Sequence, residues 1–237
     1  ARENCKNVFP DHDARFKYPG KTGQILLFQK TETAHPATRI FASLSSLCDK
    51  DGNIMKETLP FTYPFVLKFN WGGEGETVYL IKTQAGLKKV FKKAGEFEKT
   101  GQKGFILQEY IESGNRSLRV AVIGQKCISY WRVQKNPDSF CAGLSQGAEM
   151  DFDSDPELVK AAVSRAKDFC KKTGINLAGF DFLFSSENYY NEEPLFLEIN
   201  YFFGRKGLGG SEKFYKILNR EIVKWLKSLD LKEKRME

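Results

Sequence analysis

The sequence predicts an α+β fold, and three observations carry that prediction. Leu118 to Ile123 and Cys127 to Val133 are apolar, strand-like segments joined at Gly124-Gln125, the signature of a hairpin. Two segments carry apolar residues at helical spacing: one from Asp155-Pro156-Glu157 to Gly174, the other running on from Ser211 to Leu229. Hairpins stand beside helices rather than alternating strand for helix, which argues against a doubly wound parallel sheet.

The remaining elements follow in order. Residues 1–20 are polar, with Pro10, Pro19 and Gly20, and read as an irregular arm. Thr22 to Thr33 carries Ile25, Leu26, Leu27 and Phe28 and is expected to be a short helix, broken by Pro36. Residues 49–60 read as loop. Pro64 to Phe69 is a strand, a glycine turn spans 71–76, and Thr77 to Ile81 is a second strand. Leu87, Val90, Phe91 and Ala94 place a helix over 84–94, and Phe105 to Ile111 is strand-like. Asp155 is expected to cap the next helix, with Pro156 at its first position and Gly174 at its end. Residues 178–184 and 194–200 form an antiparallel pair. Alternation puts Leu195, Leu197 and Ile199 on one face and Glu198 with Asn200 on the other.

Composition narrows the function. The chain has 237 residues, 41% of them hydrophobic and 14% aromatic, which excludes a disordered chain. No apolar run reaches the ~18–20 residues of a membrane span. Five scattered cysteines without a Cys-x-x-Cys pair, and only two histidines, fit neither a zinc site nor a disulfide framework. Reduced thiols in the cytosol are the expectation, and the shortage of histidine leaves a Ser-His-Asp hydrolase without support. The net charge of +7 is modest, and the densest basic cluster (Lys88, Lys89, Lys92, Lys93) reads as a solvated helix face. Nucleic acid is therefore not an expected partner.

Three fragments hold chemistry. Lys68 ends a strand, and Gly72, Gly73 and Gly75 follow in a turn whose backbone N–H groups can close over a phosphate chain. Glu74 and Glu76 would oppose that role unless they point outward, and taken alone the fragment favours a plain hairpin turn. In the second fragment, pairing Phe184 with Leu195 sets Asp181 opposite Glu198, with Asn200 near by. Two carboxylates so placed repel unless a cation joins them, and an all-oxygen set suits Mg²⁺. Solvent-facing acids at a sheet edge are the alternative. Third, Gln108-Glu109-Tyr110-Ile111 leaves a strand between the two halves of the chain, where its backbone can meet a flat heterocycle, although taken alone the fragment favours an ordinary edge strand.

Order and spacing of these fragments resemble the ATP-grasp superfamily, most closely its RimK-like carboxylate–amine ligases, from about Lys21 to about Gly207. The resemblance implies a two-lobed ATP-grasp fold with nucleotide between lobes 21–110 and 111–237, preceded by the arm 1–20. It implies ATP and Mg²⁺ as cofactors. Lys21, Lys68 and the glycines at 72, 73 and 75 would hold phosphate, and Gln108, Glu109, Tyr110 and Ile111 would hold adenine. Asp181, Glu198 and Asn200 would bind the metal. Arg132, with Arg119 and Lys68, would serve the transferred phosphoryl group, and Arg205 is a candidate for a substrate carboxylate. The implied reaction phosphorylates a small-molecule or peptide carboxylate, and an amine then attacks the acyl phosphate.

Departures from the family pattern accompany these matches. Ser117 replaces an acid, Thr77 a loop glycine, and Gly143 an amide side chain. Tyr201-Phe202-Phe203-Gly204 replaces a small-residue–Pro–Gly run. The stretch before Lys21 is too short for the separate N-terminal domain of full-length relatives. These departures keep open an alternative: a ligase-derived ATP-binding module without turnover.

Overall fold

The computed structural model describes residues 7–49, 54–55, 59–73, 75–136, 139–140, 142–186 and 193–233. Two antiparallel sheets organise them. In the first, β1 (Thr38–Phe41), β2 (Phe65–Phe69), β3 (Val78–Ile81) and β4 (Phe105–Glu109) lie in the order β1-β4-β2-β3. In the second, β5 (Arg116–Ile123), β6 (Lys126–Val133), β7 (Glu149–Asp151), β8 (Leu177–Leu183) and β9 (Leu195–Asn200) lie in the order β7-β6-β5-β8-β9. The chain passes from one sheet to the other through residues 110–115.

Helices cover these sheets. α3 (Gln84–Lys99) buries Leu87, Val90, Phe91 and Ala94 with Phe65, Leu67 and Phe105 of the first sheet. Thr83 caps it by accepting from the amide of Gly86 (3.1 Å), which satisfies one of the donors a helix start leaves open. Lys88, Lys89, Lys92 and Lys93 all face solvent on the opposite side. α4 (Pro156–Thr173) buries Leu158, Ala162, Ala166 and Phe169 against β5 and β8, and Gly174 ends it in the left-handed conformation (φ +77°). α5 (Gly210–Glu233) sets Phe214 beside Ala121 and Ile123. α2 (Gly20–Lys30) precedes the first sheet in sequence yet sends Ile25, Leu27 and Phe28 into the core of the second. Its Gln24 holds β9 like a further strand, giving its amide to Ile199 O and accepting from Ile199 N, both at 2.9 Å.

Several expectations need correction. The arm contains a short helix, α1 (Asp13–Lys17), anchored by buried Ala14. β1 was not anticipated, because only its pairing with β4 (Thr38 opposite Gln108) makes so exposed a tetrapeptide a strand. Asp155 precedes α4 with φ +50° but makes no side-chain cap; its carboxylate pairs instead with Arg116 at 2.6 Å. Leu183, not Phe184, pairs with Leu195. A bulge at Leu197 adds one residue to β9, so Asp181 still faces Glu198. The same bulge breaks the expected alternation: Phe196 and Ile199 enter the core, while Leu197 turns toward the site described below. Expectations for residues 1–6, 50–53, 56–58, Glu74 and Cys141 lie outside the described residues.

Candidate active site

A cleft of about 330 Å³ separates the two sheets. That lies at the lower end of the ~300–1,000 Å³ common for small-molecule sites. All the expected site residues line it except Gly72 and Arg205. Their arrangement follows from strand direction. Val66 and Val78 come from the first sheet, Leu183 and Leu197 from the second, and Tyr110 and Ile111 from the crossing segment, making one apolar end. Ser186 N donates to Glu112 O (2.7 Å), which ties the end of β8 to that segment. Going away from it, β8 and β9 next present Asp181, Glu198 and Asn200, and beyond them come Phe202 and Phe203.

The crossing segment suits a heterocycle edge. Glu109 N still bonds to Ala37 O (2.8 Å), whereas among the described residues the amides of Tyr110 and Ile111 donate to no backbone carbonyl. Gln108 is only 1% exposed, and its amide donates to Thr38 Oγ1 (2.9 Å), so it ties β4 to β1 while lining the cleft.

Lys21 and Lys68 enter from α2 and β2, both nearly buried. Lys21 Nζ donates to the carbonyls of Trp71 and Gly72, each at 3.2 Å. Burial pulls its pKa below the ordinary lysine value, against the opposing pull of Glu198. Gly72 is thus set back from the cleft, a main-chain partner of Lys21. Its φ of +81° and the approach of Thr77 (2.5 Å to a Cβ at that position) leave room for no side chain. Thr77, at the loop position where a glycine was expected, closes the turn by donating to Trp71 O (2.6 Å).

Asp181 is the hub of the charged middle. Arg119 reaches it through Nε (2.5 Å) and a terminal nitrogen (3.0 Å), Arg132 at 2.9 Å, and the Asn200 amide at 3.1 Å. Burial alone would raise its pKa, but the two guanidinium groups outweigh that and hold the carboxyl below its usual range. Ser117 supplies a contact in spite of the lost acid: its hydroxyl accepts from Arg132 (2.9 Å). Arg132 Nε is buried without a hydrogen-bond partner among the described residues. Arg205 lies over the rings of Phe214 (4.9 Å) and Tyr215 (4.8 Å) and is not among the residues lining the cleft.

Sequence reasoning missed Leu183, Leu197 and Tyr130. Leu183 stands two residues beyond Asp181 on the same strand face, so the period of two could have found it. Leu197 depends on the bulge. Tyr130 is 3% exposed, and its ring lies where a Cβ at Gly207 would fall, 2.1 Å from Cε1.

The donor set can be compared with what Mg²⁺ requires. Among the described residues no three His, Cys, Asp or Glu side chains gather, so the facing carboxylates of Asp181 and Glu198 and the amide of Asn200 are what this stretch of the cleft offers. Neither oxygen of Glu198 receives a hydrogen bond there. Asp181 Oδ1 takes only the Arg119 bond, and Asn200 keeps its oxygen after its NH₂ has donated. These oxygens fit a hard divalent cation.

Comparisons with known proteins speak to the family and the fold. The family model described as the RimK-like ATP-grasp domain matches residues 21–226. The chain is 31% identical over 147 residues to a protein of Azotobacter vinelandii named probable alpha-L-glutamate ligase, covering 61% of this chain and 44% of that one. It is 33% identical over 152 residues to probable alpha-L-glutamate ligase 1 of Shewanella frigidimarina, covering 63% and 45%. The match thus spans less than half the length of these relatives. A RimK domain ATP-grasp protein from Sphaerobacter thermophilus superposes with a TM-score of 0.62 at 14% identity, over 86% of this chain and 67% of that one. D-alanine–D-alanine ligase from Bacillus anthracis, complexed with ATP, gives 0.62 at 14% identity, over 94% and 69%. At such identities the superpositions speak for the fold, and the family match for descent. The chain belongs to the RimK-like ATP-grasp family.

Proposed function

We propose that this chain is the nucleotide-binding and catalytic core of an ATP- and Mg²⁺-dependent carboxylate–amine ligase. One observation carries the reading: a single cleft gathers two buried lysines, Arg119, Arg132 and the facing pair Asp181–Glu198 beside an apolar end where, among the described residues, two backbone amides donate to no backbone carbonyl. Lys21 and Lys68 would hold phosphate oxygens, and Tyr110 and Ile111 the adenine edge between Val66 and Leu197. Asp181, Glu198 and Asn200 would hold Mg²⁺, which supplies charge neutralisation to the phosphate oxygens when bound.

The chain's own work is then positioning and charge stabilisation. Arg132, whose Nε is unpaired, faces the developing negative charge of the transferred phosphoryl group. Arg119 acts through Asp181, fixing its orientation. The substrate carboxylate oxygen bonds to the γ-phosphorus as the bond to ADP breaks. The amine nitrogen then attacks the acyl carbon, phosphate leaves, and the amine proton passes to solvent.

ADP release with pairs of amino acids, peptides and small dicarboxylates tests the reading. Lys68→Ala and Glu198→Ala are expected to lower turnover by at least about 10²-fold, the loss typical when one stabilising donor is removed. Wild-type turnover and nucleotide affinity in both variants overturn the assigned roles. The engagement of Asp181 by both arginines favours a second reading, a binding module without turnover; nucleotide binding with no ADP release from any pair selects it.

A further inference from the structure

The end of the cleft away from the crossing segment differs in character from the rest. Past Asn200 the chain continues into Phe202 and Phe203, and Phe140, Ala142 and Leu144 line the same cleft. Tyr130 closes the floor, seated against Gly207. Phe202 is 74% exposed although it lines the cleft, whereas most aromatic rings of this chain are covered. Arg15 lies over its ring at 4.4 Å, and among the described residues no carboxylate pairs with that guanidinium. The cation most obviously suited to a second substrate carboxylate, Arg205, is stacked on Phe214 and Tyr215 outside the cleft lining.

We infer that this end is an acceptor subsite for an amino acid with an aromatic side chain. The inference rests on the ligase reading and names its substrate class. An uncovered phenyl ring gains from being covered by apolar surface, and offset or edge contacts between rings add to that gain. A side-chain carboxylate such as glutamate's would have to leave water beside Phe202 and Phe203, where the guanidinium next to Phe203, that of Arg119, is already committed to Asp181, which disfavours it. Arg15, beside Phe202 although not itself among the residues lining the cleft, suits the α-carboxylate that every amino acid carries.

The test uses the full chain with Mg²⁺ and a non-hydrolysable ATP analogue, into which phenylalanine, alanine and glutamate are each titrated by calorimetry. Phenylalanine is expected to bind at least about tenfold more tightly than either of the others, the discrimination an apolar pocket can reach. Phe202→Ala is expected to abolish that preference. Because Phe202 is mostly in solvent, the variant should keep the wild-type Tm. Tighter or equal binding of glutamate or alanine, no binding of phenylalanine, or an unchanged preference in Phe202→Ala overturns the inference. ADP release from phenylalanine, alone and paired with each common amino acid, reports on the ligase reading separately. Phenylalanine binding without any ADP release sustains the subsite and sinks the ligase reading; ADP release that requires glutamate and ignores phenylalanine does the reverse.

Discussion

Arg119 and Asp181 stand opposite each other on β5 and β8, and the guanidinium closes on the carboxylate with both of its parallel donors. Their side chains are only 8% and 4% exposed, so the pair is shielded from solvent screening. Arg132 and Asn200 add a third and fourth donor to the same carboxylate. The site's central acid is therefore held by the sheet itself, before any ligand arrives.

Removing one member of such a pair leaves the other charge buried. Arg119→Ala is expected to destabilise the chain by about 3–5 kcal/mol, read as a lower urea midpoint. Arg119→Lys should recover only part of this, because an ammonium cannot make the two parallel bonds. An urea midpoint for Arg119→Ala equal to wild type contradicts the structural weight given to the pair.

Acid pH probes the same carboxylate. The folded pKa of Asp181 is lowered, so its stabilisation is complete above an unfolded value near ~3.9 and disappears as pH falls through the folded value. The stability gap between wild type and Asp181→Asn should therefore be widest at neutral pH and shrink below about pH 4. Urea titrations at several acid pH values measure it, and a constant gap contradicts the assignment.

Lys21 gives the opposite limb. Its folded pKa is lowered by burial, so between that value and the unfolded one near ~10.4 the unfolded chain binds more protons, and stability rises with pH. Affinity for an ATP analogue moves the other way, because the phosphate partner loses its charge early. That affinity is expected to fall at a midpoint below ~10.4, and Lys21→Gln should flatten the limb.

Gly207 and Tyr130 fit together too closely for a methyl group. A Cβ at 207 would stand 2.1 Å from Cε1 and 2.2 Å from Cζ of a ring buried in the floor of the cleft. Gly207→Ala should cost about 1–3 kcal/mol by overpacking and lower Tm. Tyr130→Ala in the same chain should relieve most of that clash, a non-additivity that a double-mutant cycle reads directly.

Metal dependence tests the oxygen set. Chelating Mg²⁺ should weaken ATP-analogue binding to the wild type by at least about tenfold, and Glu198→Gln should show little further change on chelation. Equal sensitivity to chelation in the two proteins removes Glu198 from the proposed ligand set.

The sequence by itself determined the α+β class, nearly every strand and long helix, and the grouping of Asp181, Glu198 and Asn200, because period, turn residues and local motifs are written in neighbouring positions. Its order of motifs also carried the family. Tertiary structure alone decided the rest. β1 exists through pairing with β4, and α2 belongs to the second core although it precedes the first sheet. Leu197, not Phe196, turns into the cleft because one bulged residue resets the strand's faces. Asp181 is met by arginines from two neighbouring strands, and Gly72 serves Lys21 through its carbonyl. Each of these depends on a partner far along the chain, and side-chain periodicity within one segment cannot specify which distant surface will complete it.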